Sequence, residues 1–237
     1  ESARNIRLNI IQMIYAAQSG HPAGSLGMAD IFTYLYFYEL NHQPQKPQWK
    51  DRDFLLLSNG HVCPVLYAAL AQAGYFSTEI LSTFRSINSP LQGHPHLGSI
   101  PGVENTSGPL GQGISQAVGV ALALQKDKKN NRVFCLMSDG EHQEGQVWEA
   151  YMLAAHYNLK NMTVLIDANN IQISGNVSDT LTTEPLAEKI ESFGWNTIEI
   201  SGHDFSEIHM AIEQRKLMEV PTAIICRTTP GKGVSFM

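Results

Sequence analysis

Two polar segments, Ser138-Asp139-Gly140 and Asp167-Ala168-Asn169-Asn170-Ile171, each follow a short apolar run. A carboxylate followed by glycine lets the backbone turn tightly towards a ligand. An amide oxygen at the matching place one segment later offers a second hard donor. Magnesium takes oxygen ligands in an octahedron, sharing them among one or two side chains, water and phosphate oxygens. Asp139 and Asn169 supply the protein's minimum share of such a site, and calcium or manganese would suit the same donors. Either segment alone reads equally well as a turn, because Asp, Asn and Gly dominate turns. Their separation, which one strand-helix-strand unit fills, is what suggests a common site.

Four other segments carry polar side chains or glycines at turn positions. In Ser19-Gly20-His21-Pro22, local rules predict a helix end with Gly20 left-handed and Pro22 as the stop. His61 follows the apolar run Phe54 to Leu57, which places it at a strand carboxyl end near the mouth of such a site, or else as a core histidine bonded to backbone. Gly93-His94-Pro95-His96 offers two imidazoles, but the intervening proline and the lack of further Cys or His at zinc spacing argue against zinc. His96 reads as solvated loop. The run Ser107-Gly108-Pro109-Leu110-Gly111-Gln112-Gly113 precedes an apolar helical segment, which on general grounds suggests phosphate at a helix N-terminus. No Gly-Lys-Ser/Thr follows, so it is not a Walker loop. Glu144 opens a helix, where the dipole favours a carboxylate.

The elements that must position these residues are legible from periodicity. Five apolar runs, Phe54 to Leu57, Val133 to Met137, Thr163 to Ile166, Thr197 to Ile200 and Thr222 to Cys226, predict strands. Those that are apolar on successive residues predict parallel strands covered on both faces. Between them, helical spacing spans Ala3 to Gln18, Met28 to Leu40, Val62 to Gly74, Ile114 to Lys126, Val147 to Asn158, Pro185 to Phe193 and Phe205 to Met218. Alternation of this kind predicts a doubly wound, mainly parallel α/β sheet with helices on both faces and ligands at the strand carboxyl ends. The polar segment Asn41 to Asp51 reads as a surface connection.

The 237 residues, with a net charge of -6, predict one substantial globular domain over 1–237. An acidic balance gives no field to gather nucleic acid or an anionic membrane surface, so neither is an expected partner. No apolar stretch approaches the roughly 20 residues that a membrane span requires. Three widely spaced cysteines, Cys63, Cys135 and Cys226, two of them in apolar runs, suggest a reducing, cytoplasmic location with no exported leader.

Taken together, Ser138-Asp139-Gly140, Glu144-Gly145 and Asn169-Asn170 resemble the thiamine-diphosphate motif that begins Gly-Asp-Gly and ends in Asn. Transketolases are the family most similar, and their Ser-Gly-His-Pro and Gly-His-Pro signatures match at His21 and His94. The match at His94 and over Gly108 to Gly113 favours transketolase over deoxyxylulose-phosphate synthase. The resemblance runs from about Asn5 to Gly233 with the motifs in family order. It implies a thiamine-diphosphate-binding fold in which Asp139, Asn169 and the Ile171 carbonyl hold the metal. It further assigns Gly140 and His61 to the diphosphate, Gly108, Pro109 and Leu110 to the cofactor rings through backbone groups, and His21 and His94 to substrate, with His21, His61 and His94 as proton-handling candidates. Glu144 would lie at a subunit contact, bonded towards the glutamate that activates the cofactor. Ser138 departs from the family's glycine and adds a side chain beside the cofactor.

The implied activity is transfer of a two-carbon ketol unit from a ketose phosphate to an aldose phosphate, as in pentose phosphate metabolism. In transketolases the activating glutamate belongs to a second, pyrimidine-binding domain, which with the C-terminal domain is absent from these residues. The expectation is therefore the amino-terminal subunit of a split transketolase, in an α2β2 assembly with a second polypeptide carrying the pyrimidine-binding domain; a piece of a longer chain is the other explanation. Alternatives are a transketolase for an unusual sugar, such as apulose phosphate or a sulfosugar, and a non-catalytic cofactor-binding subunit.

Overall fold

The structure, a computed structural model, describes residues 1–237. In chain order it begins with helices α1 (Ser2–Ala17), α2 (Pro22–Gly27) and α3 (Ala29–Tyr34), followed by β1 (Phe54–Leu57) and α4 (Cys63–Gln72). Next come α5 (Gln112–Lys126), β2 (Val133–Ser138), α6 (Gly145–His156), β3 (Met162–Ala168) and the short strands β4 (Ile171–Gln172) and β5 (Gly175–Asn176). The chain finishes with α7 (Val177–Leu181), α8 (Leu186–Ser192), β6 (Asn196–Ser201), α9 (Phe205–Arg215) and β7 (Thr222–Arg227). No helix is long and apolar enough to cross a membrane.

The main sheet has the order β1-β2-β3-β7-β6, every neighbouring pair parallel. The alternation of side chains along its strands explains the continuous apolar runs. Leu55, Leu57, Phe134, Leu136, Leu165 and Ile224 join the core beneath α1, α3, α4 and α9. Their neighbours Leu56, Val133, Cys135, Val164, Ile166 and Ile225 join a second core beneath α5, α6 and α8. Both faces are thus buried, as a parallel sheet with crossover helices requires. Leaving β3, the chain jumps to the edge strand β6 and returns through α9 to β7. The direction of travel across the sheet reverses there, and right-handed crossovers then put α9 on the face opposite α6. A hairpin of β4 and β5 hangs from the carboxyl end of β3.

All five predicted strands are present, β1 with the predicted ends and the others with ends moved by at most two residues. The predicted Met28 to Leu40 helix differs: helical structure begins at Pro22, breaks at Met28 and changes to a π-helical turn over Leu35–Glu39. Pro22 starts this helix instead of stopping the previous one, because a proline at the first helical position loses no bond. The left-handed cap of α1 is Gln18, φ 49°, and Gly20, φ 147°, serves the extended link behind it.

Candidate active site

Four strands of the main sheet present their carboxyl ends to one region. β1 runs into Ser58-Asn59-Gly60-His61, β2 into Asp139, β3 into Asn169 and β7 into Thr228. β2 and β3 are paired up to Ser138 and Asp167, so Asp139 and Asn169 leave neighbouring strands at nearly the same level. The two loops are tied directly: the Asn170 N–H donates to Asp139 Oδ2 at 2.7 Å, and the Gly140 N–H to Oδ1 at 2.8 Å. The Asp139 carboxyl is buried, and burial raises its pKa while these backbone donors pull it down. No basic side chain bonds to it. A buried carboxylate bonded only by N–H groups has lone pairs left for a cation.

Asn169 is aimed by a residue to which the sequence pattern gives no role. Its Nδ2 donates to Asp167 Oδ2 at 2.8 Å, leaving Oδ1 to accept from the Ile171 N–H at 2.8 Å. Asp167 is fully buried and also accepts from the Thr228 hydroxyl. Burial first, and then the Asp139 charge, push its pKa up to about 7. The donors on offer from Asp139, Asn169 and the Ile171 carbonyl are all oxygen, the chemistry that a hard divalent cation selects. A cavity of about 280 Å³ opens on Asp139, Asn170, Ser178, Thr183, Glu184 and Arg227.

Three histidines approach from the β1 side. The His21 and His61 rings lie edge to face with centroids 5.4 Å apart. A Cβ added at Gly108 would stand 3.8 Å from the His94 ring, and one added at Gly60 would meet Gly108 N at 3.0 Å. Gly60 therefore lets the His61 loop press against Ser107-Gly108, and Gly108 in turn lies against His94. Gly24 closes the ring of contacts, since a Cβ there would touch Asp167 Oδ2 at 3.4 Å. All three imidazoles are held below their ordinary pKa. Burial is the first cause in each; His21 and His94 add to it for His61, about 4, and Arg85 for the other two. At neutral pH each ring has one N–H and one lone pair. Asn59, fully buried in the same turn, has both amide atoms unpartnered, as has the Ser107 hydroxyl. Orphaned polar groups at a strand carboxyl end mark a place where a polar ligand belongs.

The glycine run is tied down by the protein's own side chains. The Gly111 N–H donates to Glu141 Oε1 at 2.8 Å and the Gly113 N–H to the Ser58 hydroxyl at 3.1 Å. The protein's own carboxylate occupies the anion position at the start of α5, so this N-terminus is not free for phosphate. Gly108, Pro109 and Leu110 stay accessible, with Pro109 and Leu110 exposed. Glu144 is the N-cap of α6, exposed and without a side-chain hydrogen bond. Its Cβ sits where a Cβ on Gly111 would come within 2.9 Å. His96 is exposed, as expected of a loop.

Four residues are not marked by the motifs: Glu141, His142, Asp167 and Arg85. Glu141 was within reach, since Ser138-x-x-Glu141 has the spacing of a capping box, and the box forms. It also answers the departure at Ser138, whose hydroxyl turns to Glu141 at 3.4 Å. His142 is buried, with Nδ1 against the Ser138 and Asp139 carbonyls and Nε2 on the Tyr151 hydroxyl at 2.9 Å. Arg85 bonds Ser19 at 2.6 Å and is the one cation lining a polar cleft of about 880 Å³ beside His94, with Ser86, Asn88, Ser89 and Gln92. No local pattern marks Arg85 or Asp167.

Residues 1–236 match the family model described as "Transketolase, thiamine diphosphate binding domain". The chain is 40% identical over 235 residues to the 6-deoxy-6-sulfo-D-fructose transketolase subunit of a Clostridium species, covering 99% of this chain and 86% of that one. It is 35% identical to an apulose-4-phosphate transketolase subunit of Phocaeicola vulgatus, covering 100% of this chain and 84% of that one. The crystal structure of Campylobacter jejuni transketolase superposes with a TM-score of 0.94 at 38% identity, over 99% of this chain and 38% of that longer one. The strand-end geometry and the match along nearly the whole length agree: this chain belongs to the transketolase family, and its fold is that family's thiamine diphosphate binding domain.

Proposed function

We propose that this chain is the diphosphate- and metal-binding subunit of a split transketolase, moving a two-carbon ketol unit from a ketose phosphate to an aldose phosphate. The observation that carries the reading is the placement of Asp139 and Asn169 at the adjoining carboxyl ends of β2 and β3, bridged by the Asn170 N–H. Asp139, Asn169 and the Ile171 carbonyl would hold magnesium, or calcium or manganese in its place. Gly140 and His61 would face the diphosphate, and Gly108, Pro109 and Leu110 the rings. When bound, thiamine diphosphate supplies the nucleophilic carbon that carries the ketol unit.

His21, His61 and His94 then orient substrate hydroxyls, each using its ring N–H as donor and its bare ring nitrogen as proton acceptor. Their depressed pKa values keep them neutral at physiological pH, which general-base work requires. Asp167 acts through Asn169 as a positioning residue. Glu144, exposed beside Gly111, is suited to meet the activating glutamate of the partner polypeptide.

The two subunit relatives act, by name, on apulose 4-phosphate and 6-deoxy-6-sulfo-D-fructose. Phosphate and sulfo groups are both terminal anions, and Arg85 beside His94 is suited to receive either. A sugar of that unusual kind is therefore the second reading, decided by a screen of donors and acceptors. Burial of all three free cysteines accords with a reducing compartment such as the cytoplasm. The decisive experiment is size exclusion with light scattering and a ketol-transfer assay, on the chain alone and together with its partner. The expected result is a two-plus-two complex active only when both are present; ketol transfer by the chain alone would refute the split assembly.

A further inference from the structure

At the far end of the sheet, where β1, β2 and β3 begin, lies a charged cluster that the proposed reaction does not use. Arg132, just before β2, donates to Glu39 and Asp53 and to the Glu39 carbonyl. Lys216 reaches the second Glu39 oxygen at 3.1 Å and Glu213 at 2.6 Å. The Arg132 and Asn41 N–H groups take the remaining Asp53 positions, both at 2.8 Å. Every oxygen of the two buried carboxylates is therefore engaged.

Arg215, the last residue of α9, is left out of this arrangement. It is 6% exposed, and its Nε and one terminal nitrogen are buried without an acceptor. Its guanidinium carbon stands 5.4 Å from the centroid of Phe134, the ring that Arg132 approaches to 5.6 Å. Burial and the Arg132 charge lower its pKa, against the pull of Glu39, Asp53 and Glu213. A buried guanidinium with free donors is costly to leave unpaired. It lines a cleft of about 450 Å³ with Lys128, Lys129, Arg132, Lys160 and Lys216. Arg132 and Lys216 are held by Glu39, Asp53 and Glu213, Lys129 stands 3.8 Å from Asp51, and Lys160 is bonded to Glu219 at 2.5 Å, an exposed pair that a stronger anion can exchange.

We infer that this cleft binds a small multiply charged oxyanion of the phosphate type, seated on Arg215 with Lys128 and Lys160 at its rim. The planar donor pair of a guanidinium matches two phosphate oxygens, and flexible lysines add charge around it. Free phosphate and the phosphate end of an organic metabolite share this chemistry.

The test follows the Arg215 Nε–H signal by nitrogen-15 NMR in the full chain, titrated with inorganic phosphate and separately with 3-phosphoglycerate at constant ionic strength. The expected result is a saturable shift at Arg215, the tighter of the two ligands identifying the source. Lys128→Ala and Lys160→Ala should each weaken binding by about threefold, the size of one screened charge contact. Arg215→Leu should abolish it, and the two lysine variants keep the test valid if that variant does not fold. Non-saturating shifts like those from sodium chloride would overturn the inference. So would shifts confined to Gly140 and Asn170, which report the opposite end of the sheet.

Discussion

The Ser58 hydroxyl donates to the Glu141 carboxylate at 2.6 Å while accepting from the Gly113 N–H at 3.1 Å, so one hydroxyl joins the end of β1 to the start of α5 and the turn after β2. Glu141 has no exposed surface and also accepts from the Gly111 and Ser138 N–H groups, each at 2.8 Å. Replacing it with Ala would strand these donors in the interior, at roughly 1–3 kcal/mol for each one left unmet. Glu141→Ala should therefore lower the urea-unfolding free energy by about 3 kcal/mol or more, and Glu141→Gln by less. A loss within experimental error for Glu141→Ala would mean that the carboxylate does not hold these loops together.

Metal and substrate duties should separate by mutation. Asp139→Ala removes the buried carboxylate bonded by Gly140 and Asn170. It should reduce magnesium-dependent retention of thiamine diphosphate at least about a hundredfold, the scale of losing a charged ligand. His94→Ala, on the exposed side of the cleft, should leave retention within about threefold and slow transfer in the assembled enzyme by about a hundredfold, the scale of general acid–base work. Calorimetry measures the first and a coupled assay the second. Equal loss of cofactor in both would defeat this division.

The pH dependence of stability should have an acid limb owed partly to His61. Its pKa in the folded chain is about 4, lowered by burial and by the charges of His21 and His94, against 6.5 unperturbed. The unfolded chain thus takes up a proton that the folded chain refuses, and stability falls as pH drops from about 6.5 towards 4. Above 6.5 both states are neutral and the effect vanishes. His61→Asn should remove on the order of 2 kcal/mol of this acid loss, seen as a narrowing gap between pH 7 and pH 4.5 in denaturant midpoints. An unchanged gap would show that the His61 pKa is not depressed.

Two glycines on α5 should respond oppositely to alanine. A Cβ at Gly113 would lie 2.5 Å from Ser58 Cα, whereas one at Gly119 meets nothing within 4 Å. Gly113→Ala should destabilise by about 1–3 kcal/mol through overpacking against β1. Gly119→Ala should stabilise the chain by about 0.5–1 kcal/mol, because the unfolded chain then has less backbone freedom to lose. Thermal unfolding of both variants distinguishes them by sign.

Strand positions were readable because their burial on both faces leaves a continuous apolar run, as at Val133 to Met137. The break at Met28 was not, because the segment from Pro22 to Leu40 keeps one apolar pattern while its backbone changes from α to π. Asp139, Asn169 and the three histidines stood out as chemistry at predicted strand ends and turns, and the fold brings them to one end of the sheet. Arg85 and Asp167 did not, since their importance lies in neighbours distant along the chain: Arg85 is bonded to Ser19 and Asp167 to Thr228.

By itself, then, the amino-acid sequence determined the α/β alternation, the family and the oxygen donors at the ends of β2 and β3, all of which are carried by short-range pattern. Only the tertiary structure decided that Glu141 fills the anion position at the start of α5, that Asp167 aims Asn169, and that Arg215 is buried without a partner. Hydrogen-bond direction and desolvation depend on which residues meet across the fold, and no local spacing encodes that.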